Sequence, residues 1–317
     1  MIHARGLTRT FKTKTGPVEA VKGIDFEVAP GEILGLLGPN GAGKTTTLRM
    51  LTTLLNPTAG EATVAGVDLR KDPREVRRRI GYVAQIGAVP APGTLVGEEL
   101  VVQGRLQGMS KAEAQRRVTE LLPQLDLEGF APRALSEMSG GQRRRFDIAL
   151  GLVHSPRLIF LDEPTTGLDP QSRANLWDHI NSLREEQGVT IVLSTHYLDE
   201  ADVLADRLLV MDHGVIVAND SPETLKAQIS GDVVVMEVDG DLNEVARIAA
   251  QAVPVRETRI EGGRVHVTVE LGETAIAPIL RALDASGMNL KSVSVSRPSL
   301  DDVFLTLTGR TLREDAA

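Results

Sequence analysis

The sequence contains no cysteine. Disulfide staples and thiol chemistry are therefore excluded from any account of its fold or activity, and the absence suits a reducing compartment. Aromatic residues are scarce, with one Trp, two Tyr and six Phe in 317 positions. Basic residues do not predominate: 35 Lys and Arg face 43 Asp and Glu, a net charge of −8. The broad positive footprint of a nucleic-acid binder is missing. Local clusters at Arg77-Arg78-Arg79 and Arg143-Arg144-Arg145 fall in or beside predicted helices, where a solvated face or a protein-docking role is preferred. No run of about eighteen apolar residues occurs, and Met1-Ile2-His3-Ala4-Arg5 does not open a signal-peptide core. The chain is thus expected not to cross a bilayer, so any transport path must come from another polypeptide. What is present is a globular composition, 42% hydrophobic and 25% charged, with length enough for two domains.

The most informative stretch is Gly38-Pro39-Asn40-Gly41-Ala42-Gly43-Lys44-Thr45-Thr46. The short apolar run Glu32 to Leu37 before it reads as a buried strand, and Thr47 to Leu51 after it as the start of a helix. Strand, glycine-rich loop, Lys-Thr and helix together make a phosphate-binding loop. Glycines at 38, 41 and 43 let successive N–H groups turn inward on phosphate oxygens, and the helix N-terminus adds partial positive charge. Lys44 is expected to reach the β/γ-phosphates and Thr45 to bind Mg²⁺. Thr46 is expected at the cap or the α-phosphate. A nucleoside triphosphate is the implied ligand.

The remaining motifs follow in order. Residues Ile2 to Val28 alternate like strands around a turn-rich Thr13 to Pro17. Phe11 lies there, either to stack on an adenine face or to fill the core of an edge sheet. Ile80 to Gln85 reads as a strand ending in an amide that reaches Mg²⁺ or the attacking water. Breaks at Pro90, Pro92 and Gly93 then precede helical stretches at Val96 to Leu106 and Lys111 to Leu125, the second capped by Ser110 with Glu113. These make a helical insertion at about 86–150. Ser139-Gly140-Gly141-Gln142 at the start of the next helix is a second anion site, weak by itself. Leu158 to Leu161 is an apolar strand delivering Asp162 and Glu163. Buried paired acids need a cation, so Asp162 is assigned to Mg²⁺ and Glu163 to the water attacking the γ-phosphate. His196 ends the strand Val189 to Ser194 at the same sheet edge, in reach of the γ-phosphate. The other histidines, His213 among them, read as structural.

After Gly231 the rhythm changes to strand–helix–strand–strand–helix–strand, the order of a ferredoxin-like unit. A last helix from Ser299 carries the stripe Leu300, Val303, Phe304 and Leu307. No catalytic constellation is read here, and a regulatory or docking role is expected.

The ordered set GPNGAGKTT, Gln85, SGGQ, LIFLDEP, GLDP and STH resembles the nucleotide-binding subunit of ABC transporters over about residues 1–230. The C-terminal Ser299 to Gly309, with Gly104-Arg105-Leu106-Gln107-Gly108 and Tyr197 to Asp202, resembles the daunorubicin-resistance type of ABC-2 exporter ATPase. The resemblance implies an α/β fold: a P-loop ABC ATPase core with a helical subdomain and an edge antiparallel sheet, plus a small C-terminal α+β domain over 231–317. It implies ATP hydrolysis, with Glu163, His196 and Lys44 catalytic and Thr45, Gln85 and Asp162 at Mg²⁺. It further implies a homodimer sandwiching two ATP molecules, in which Ser139, Gly140, Gly141 and Gln142 of one subunit face the P-loop of the other. Phe11 is then the adenine-stacking aromatic, Gln85 the sensor of the membrane subunit and Asp169 a cross-dimer contact. Met138 replaces the leucine usual there, a volume-conserving change. The implied partner is a separate ABC-2 type membrane permease, with the ATPase peripheral on the cytoplasmic face and no nucleic acid bound. A soluble ABC ATPase of ribosomes or DNA, or an importer subunit, is the rival. Ribosomal types carry two motif sets, DNA-repair types long coiled coils, and importers an all-β extension.

Overall fold

The computed structural model describes the chain except residues 15, 86, 88–90, 92, 230, 297 and 310–317. The breaks expected at Pro90 and Pro92 lie outside the described residues. Two compact units divide between Asp220 and Ser221, earlier in the chain than the Gly231 boundary expected.

The first unit opens with β1 (Ile2–Thr13) and β2 (Gly16–Val28), an antiparallel hairpin that buries Ile2, Ala4, Leu7, Val21, Ile24, Phe26 and Val28 by alternation. β3 (Ile33–Leu37) is buried at all five positions and feeds α1 (Lys44–Leu51). β4 (Ala59–Val64) and β5 (Val67–Asp68) complete an edge sheet ordered β2-β1-β4-β5. α2 (Pro73–Arg79) is N-capped by Asp72 and leads into β6 (Ile80–Val83). The helical insertion follows as α3 (Val96–Leu106), α4 (Lys111–Gln124) and α5 (Gly140–Leu152). Ser110 and Glu113 form the expected capping box on α4.

The chain then returns to the central sheet through β7 (Leu158–Asp162), α6 (Pro170–Gln187), β8 (Thr190–Thr195), α7 (Leu198–Leu204), β9 (Arg207–Asp212) and β10 (Val215–Asp220). Its order is β10-β9-β3-β8-β7-β6, parallel from β9 to β6 with β10 antiparallel at the edge. Unbroken apolar runs in β3, β7 and β8 are what a parallel sheet covered on both faces requires. The carboxyl ends of β3, β7 and β8 therefore share one edge, which is where the nucleotide loop and both acids emerge. Among the described residues no helix is long and apolar enough to cross a membrane.

The second unit comprises α8 (Pro222–Ile229), β11 (Asp232–Asp239), α9 (Leu242–Ala252), β12 (Val255–Glu261), β13 (Arg264–Val269), α10 (Gly272–Ala285), β14 (Asn289–Ser296) and α11 (Leu300–Thr308). Its antiparallel sheet runs β12-β13-β11-β14, the ferredoxin-like arrangement expected. Val234, Met236 and Val238 pack with Val245, Ile248, Ile279 and Leu283 of α9 and α10 on one face. α8 belongs to this unit because it packs against α11. Ser299 and Asp302 cap α11 reciprocally, and Leu300, Val303 and Phe304 are buried. Leu307, the fourth member of the expected stripe, stays 39% exposed; it lies in the last turn, just before the left-handed C-cap at Gly309.

Candidate active site

The loop between β3 and α1 is shaped by two close approaches. A Cβ on Gly38 would lie 2.3 Å from the Met211 carbonyl oxygen, and one on Gly43 2.6 Å from that of Ala20. Gly43 also has φ of 106°, which costs an L side chain strain. The glycines thus let β2, β9 and the loop converge with no side chain between them. Lys44, only 4% exposed, donates from Nζ to the carbonyls of Gly38 (2.6 Å) and Pro39 (3.0 Å). Its Nζ is 3.9 Å from Glu163 Oε1. Burial pulls its pKa below the ordinary lysine range, against the opposing attraction of Glu163 and then Asp162.

Asp162, fully buried at the end of β7, accepts from Ser194 Oγ (2.6 Å) and Thr45 Oγ1 (2.9 Å) on Oδ1. The Tyr82 hydroxyl lies 3.5 Å from Oδ2, and burial followed by the Asp162 charge raises its pKa. Glu163 breaks out of the strand with φ of 46°, a left-handed conformation in a non-glycine residue, at a cost of about 1–3 kcal/mol. Its N–H donates to the carbonyl and hydroxyl of Ser194, both at 3.1 Å. Its Oε2 accepts from Gln85 Nε2 (2.7 Å) and Thr166 Oγ1 (3.2 Å) and stands 3.4 Å from His196 Nδ1. The His196 contact, foremost, and the Lys44 charge hold the Glu163 carboxyl below the usual carboxylate range against its burial. The kinked backbone brings the carboxylate to the P-loop cleft, ready as an acceptor.

A cleft of about 500 Å³ is lined by residues 39–46 of the loop with Gln85 and Glu163. Lys44, Thr45, Asp162, Glu163, Gln85 and His196 thus come together as expected, with Gln85 bonded to Glu163 rather than Asp162. Phe11 does not line this cleft; it sits on β1 opposite Val18, with Arg9 4.7 Å over its ring. Val18, Glu19, Ala20, Lys22 and His213 do line it. The sequence assigns no site role to these, and His213 reads as structural, because only the juxtaposition of the two sheets brings β2 and the β9–β10 turn to the loop. Ser194 and Tyr82 were missed as well. The one available signal was that both lie at ends of strands adjacent to the acid-bearing strand.

Ser139, Gly140, Gly141, Gln142 and Asp169 also lie away from the cleft of their own chain. Ser139 caps α5 in a reciprocal box with Gln142. Asp169 caps α6, accepting from the Ser172 amide (2.9 Å) and hydroxyl (2.6 Å), which hold its pKa low. A Cβ on Gly141 would meet Ser172 Oγ at 2.8 Å, whereas one on Gly140 would meet nothing within 4 Å. The solvated face or protein-docking role expected for the Arg143–Arg145 cluster does not hold at Arg144, which is 7% exposed. It turns inward because the end of β7 offers it backbone carbonyls.

Residues 21–166 match the ABC transporter family, and residues 221–308 match the C-terminal domain of DrrA1-3-like ATP-binding proteins. The chain is 44% identical over 301 residues, 93% of its length and 92% of the relative's, to the daunorubicin resistance ATP-binding protein DrrA2 of Streptomyces coeruleorubidus. The chain belongs to the ABC transporter family. It is also 40% identical over 305 residues to the Nod factor export ATP-binding protein I of Paraburkholderia xenovorans, covering 96% of each chain. Its ABC core resembles the dimeric ATP-binding cassette solved in a post-hydrolysis state with ADP and Pi. That likeness has a TM-score of 0.63 and 28% identity, over 70% of this chain and 98% of the other. This ABC protein binds ATP and hydrolyses it.

Proposed function

We propose that the chain is the ATP-hydrolysing motor of an exporter, working as a homodimer on the cytoplasmic face of the membrane beside a separate ABC-2 type permease. The cargo class is drug-like, hydrophobic or lipid. The observation that carries this reading is the pairing, in one chain, of the Lys44–Asp162–Glu163 cleft with a C-terminal unit matching that of the DrrA-like ATP-binding proteins. Residues 1–220 serve as the nucleotide-binding domain, with the helical subdomain at about 86–150, and the unit from Ser221 onward as the docking or regulatory domain.

Phosphoryl transfer to water needs positioning and charge stabilisation more than covalent chemistry. The loop amides and Lys44 hold the phosphates. Glu163, kept ionised, accepts the proton of the attacking water, and His196 at 3.4 Å steadies that carboxylate and meets the γ-phosphate. The donor set fits Mg²⁺: a buried carboxylate, Asp162, already bonded to the Thr45 hydroxyl, with the Gln85 amide nearby. Asp162 and Thr45, with Gln85, would hold Mg²⁺, which would supply charge neutralisation at the phosphates. Phe11 and its cross-strand partner Val18 form the apolar edge that receives adenine. Ser139, Gly140, Gly141, Gln142 and Asp169 lie outside their own chain's cleft, which supports their acting on the nucleotide of a second copy.

The test is transport. Inside-out vesicles holding the chain and a candidate ABC-2 type permease should accumulate doxorubicin with ATP and fail to do so with Glu163→Gln. Equal accumulation with both would overturn the motor assignment.

A further inference from the structure

Arg144 points into the region behind the two catalytic strands and spends its guanidinium on main-chain oxygens. Nε donates to Pro164 O (2.7 Å), Nη1 to Ala84 O (2.7 Å), and Nη2 to Asp162 O (3.1 Å) and Glu163 O (3.3 Å). Nη1 also lies 4.0 Å from the Asp147 carboxylate on the same helix. Three of the acceptors are the successive carbonyls of 162, 163 and 164, the stretch in which Glu163 takes its left-handed turn. The fourth belongs to the residue before Gln85. Gln85 and Glu163 in turn share a 2.7 Å hydrogen bond. One side chain therefore clamps the backbone behind both members of that pair.

The clamp is mounted on α5, which opens at its N-cap Ser139 with Gly140 and Gly141. A planar fork with five N–H donors in fixed directions can serve four carbonyls on two segments; an ammonium on a flexible stem cannot. A helix could be anchored to a sheet with a single bond or by apolar packing alone. The choice of acceptors around Glu163 and Gln85 is what points beyond anchoring.

We propose that Arg144 is a positioning residue for hydrolysis. It holds Glu163 in the left-handed conformation that presents its carboxylate to the attacking water, and it ties that orientation to the helix carrying the Ser139–Gly141 segment. This inference rests on the reading of Glu163 as the proton acceptor.

The test uses the purified full-length chain and the variants Arg144→Lys, Arg144→Met and Glu163→Gln. Misplacing a catalytic group by about 1 Å costs on the order of 10²-fold in rate. Arg144→Met should therefore lose on the order of 10²-fold in kcat and Arg144→Lys roughly 10-fold. ATP affinity, measured with a fluorescent nucleotide before turnover, should stay within about threefold, because no nucleotide contact is removed. Arg144→Lys carries the decision if Arg144→Met fails to fold. In single-turnover measurements Arg144→Lys placed on Glu163→Gln should add no further loss, since both act through one carboxylate. A wild-type kcat in Arg144→Lys, a parallel fall of affinity and kcat, or losses that multiply in the double variant would overturn the proposal. Near-normal turnover by Glu163→Gln alone would instead remove the Glu163 reading beneath it.

Discussion

Replacing Glu163 by Gln changes almost nothing in shape and one thing in chemistry. The three groups around Oε2, from Gln85, Thr166 and His196, can be met by the amide oxygen of Gln. The amide nitrogen then faces Lys44, whose Nζ is 3.9 Å from Oε1 in the native chain. Lys44 keeps the carbonyls of Gly38 and Pro39 and the nearby Asp162 charge. The loss is therefore placed at about 1–2 kcal/mol, the lower part of the range for weakening a buried charged contact. A thermal midpoint lower by roughly 2–8 °C is expected without nucleotide. Turnover is affected far more. Removing a positioned general base costs about 10²–10⁴-fold, or about 2.7–5.4 kcal/mol of barrier. ATP binding should persist, because the loop amides, Lys44 and Thr45 are untouched, and the unhydrolysed nucleotide should accumulate a dimer visible by light scattering. Steady-state phosphate release, nucleotide affinity and light scattering measured together check all three expectations. Turnover within about threefold of wild type would refute the assignment, since general-base loss cannot be that small.

The composite-site reading predicts complementation. Mixing Lys44→Ala with Gly140→Asp subunits should give phosphate release above either parent, provided heterodimers are shown to form; none would count against sharing. Gly140 is the cleaner position, because a side chain at Gly141 collides with Ser172 before it reaches any nucleotide. In the second unit, Phe304 is 1% exposed, so Phe304→Ala should cost about 3–5 kcal/mol. Calorimetry should show that loss while ATP affinity is unchanged, and a matching fall in affinity would contradict independence of the site. His154 (Nε2 3.0 Å from Ile80 O) and His179 are held below the ordinary histidine range chiefly by burial. The unfolded chain then takes up protons first, so stability is present at neutral pH and is lost as pH falls below about 6.5. The thermal midpoint should drop between pH 7 and 5.5, and less steeply in His154→Gln; identical slopes would remove His154 from the account.

What the sequence determined by itself was local. The P-loop, the Ser110 cap, and the apolar strands ending in Asp162-Glu163 and Thr195-His196 are written in residues a few positions apart. Capping, glycine turns and strand burial are short-range physics, so they can be read in order along the chain. The strand–helix rhythm of the second unit was legible for the same reason, because each segment shows its own period. Tertiary structure decided which of these segments meet. Ser194 reaches Asp162, and Val18 with His213 borders the loop, because the sheets place distant segments side by side. Arg144 is the sharpest case. In sequence it is the middle of three arginines at a helix start and reads as part of a solvated or protein-docking face. In the fold it is buried, because carbonyls at the kinked exit of β7 and at the residue before Gln85 converge on it from 18 to 60 positions away. A backbone carbonyl has no signature in the sequence, so a side chain whose hydrogen bonds all go to carbonyls can be recognised only once the chain is folded.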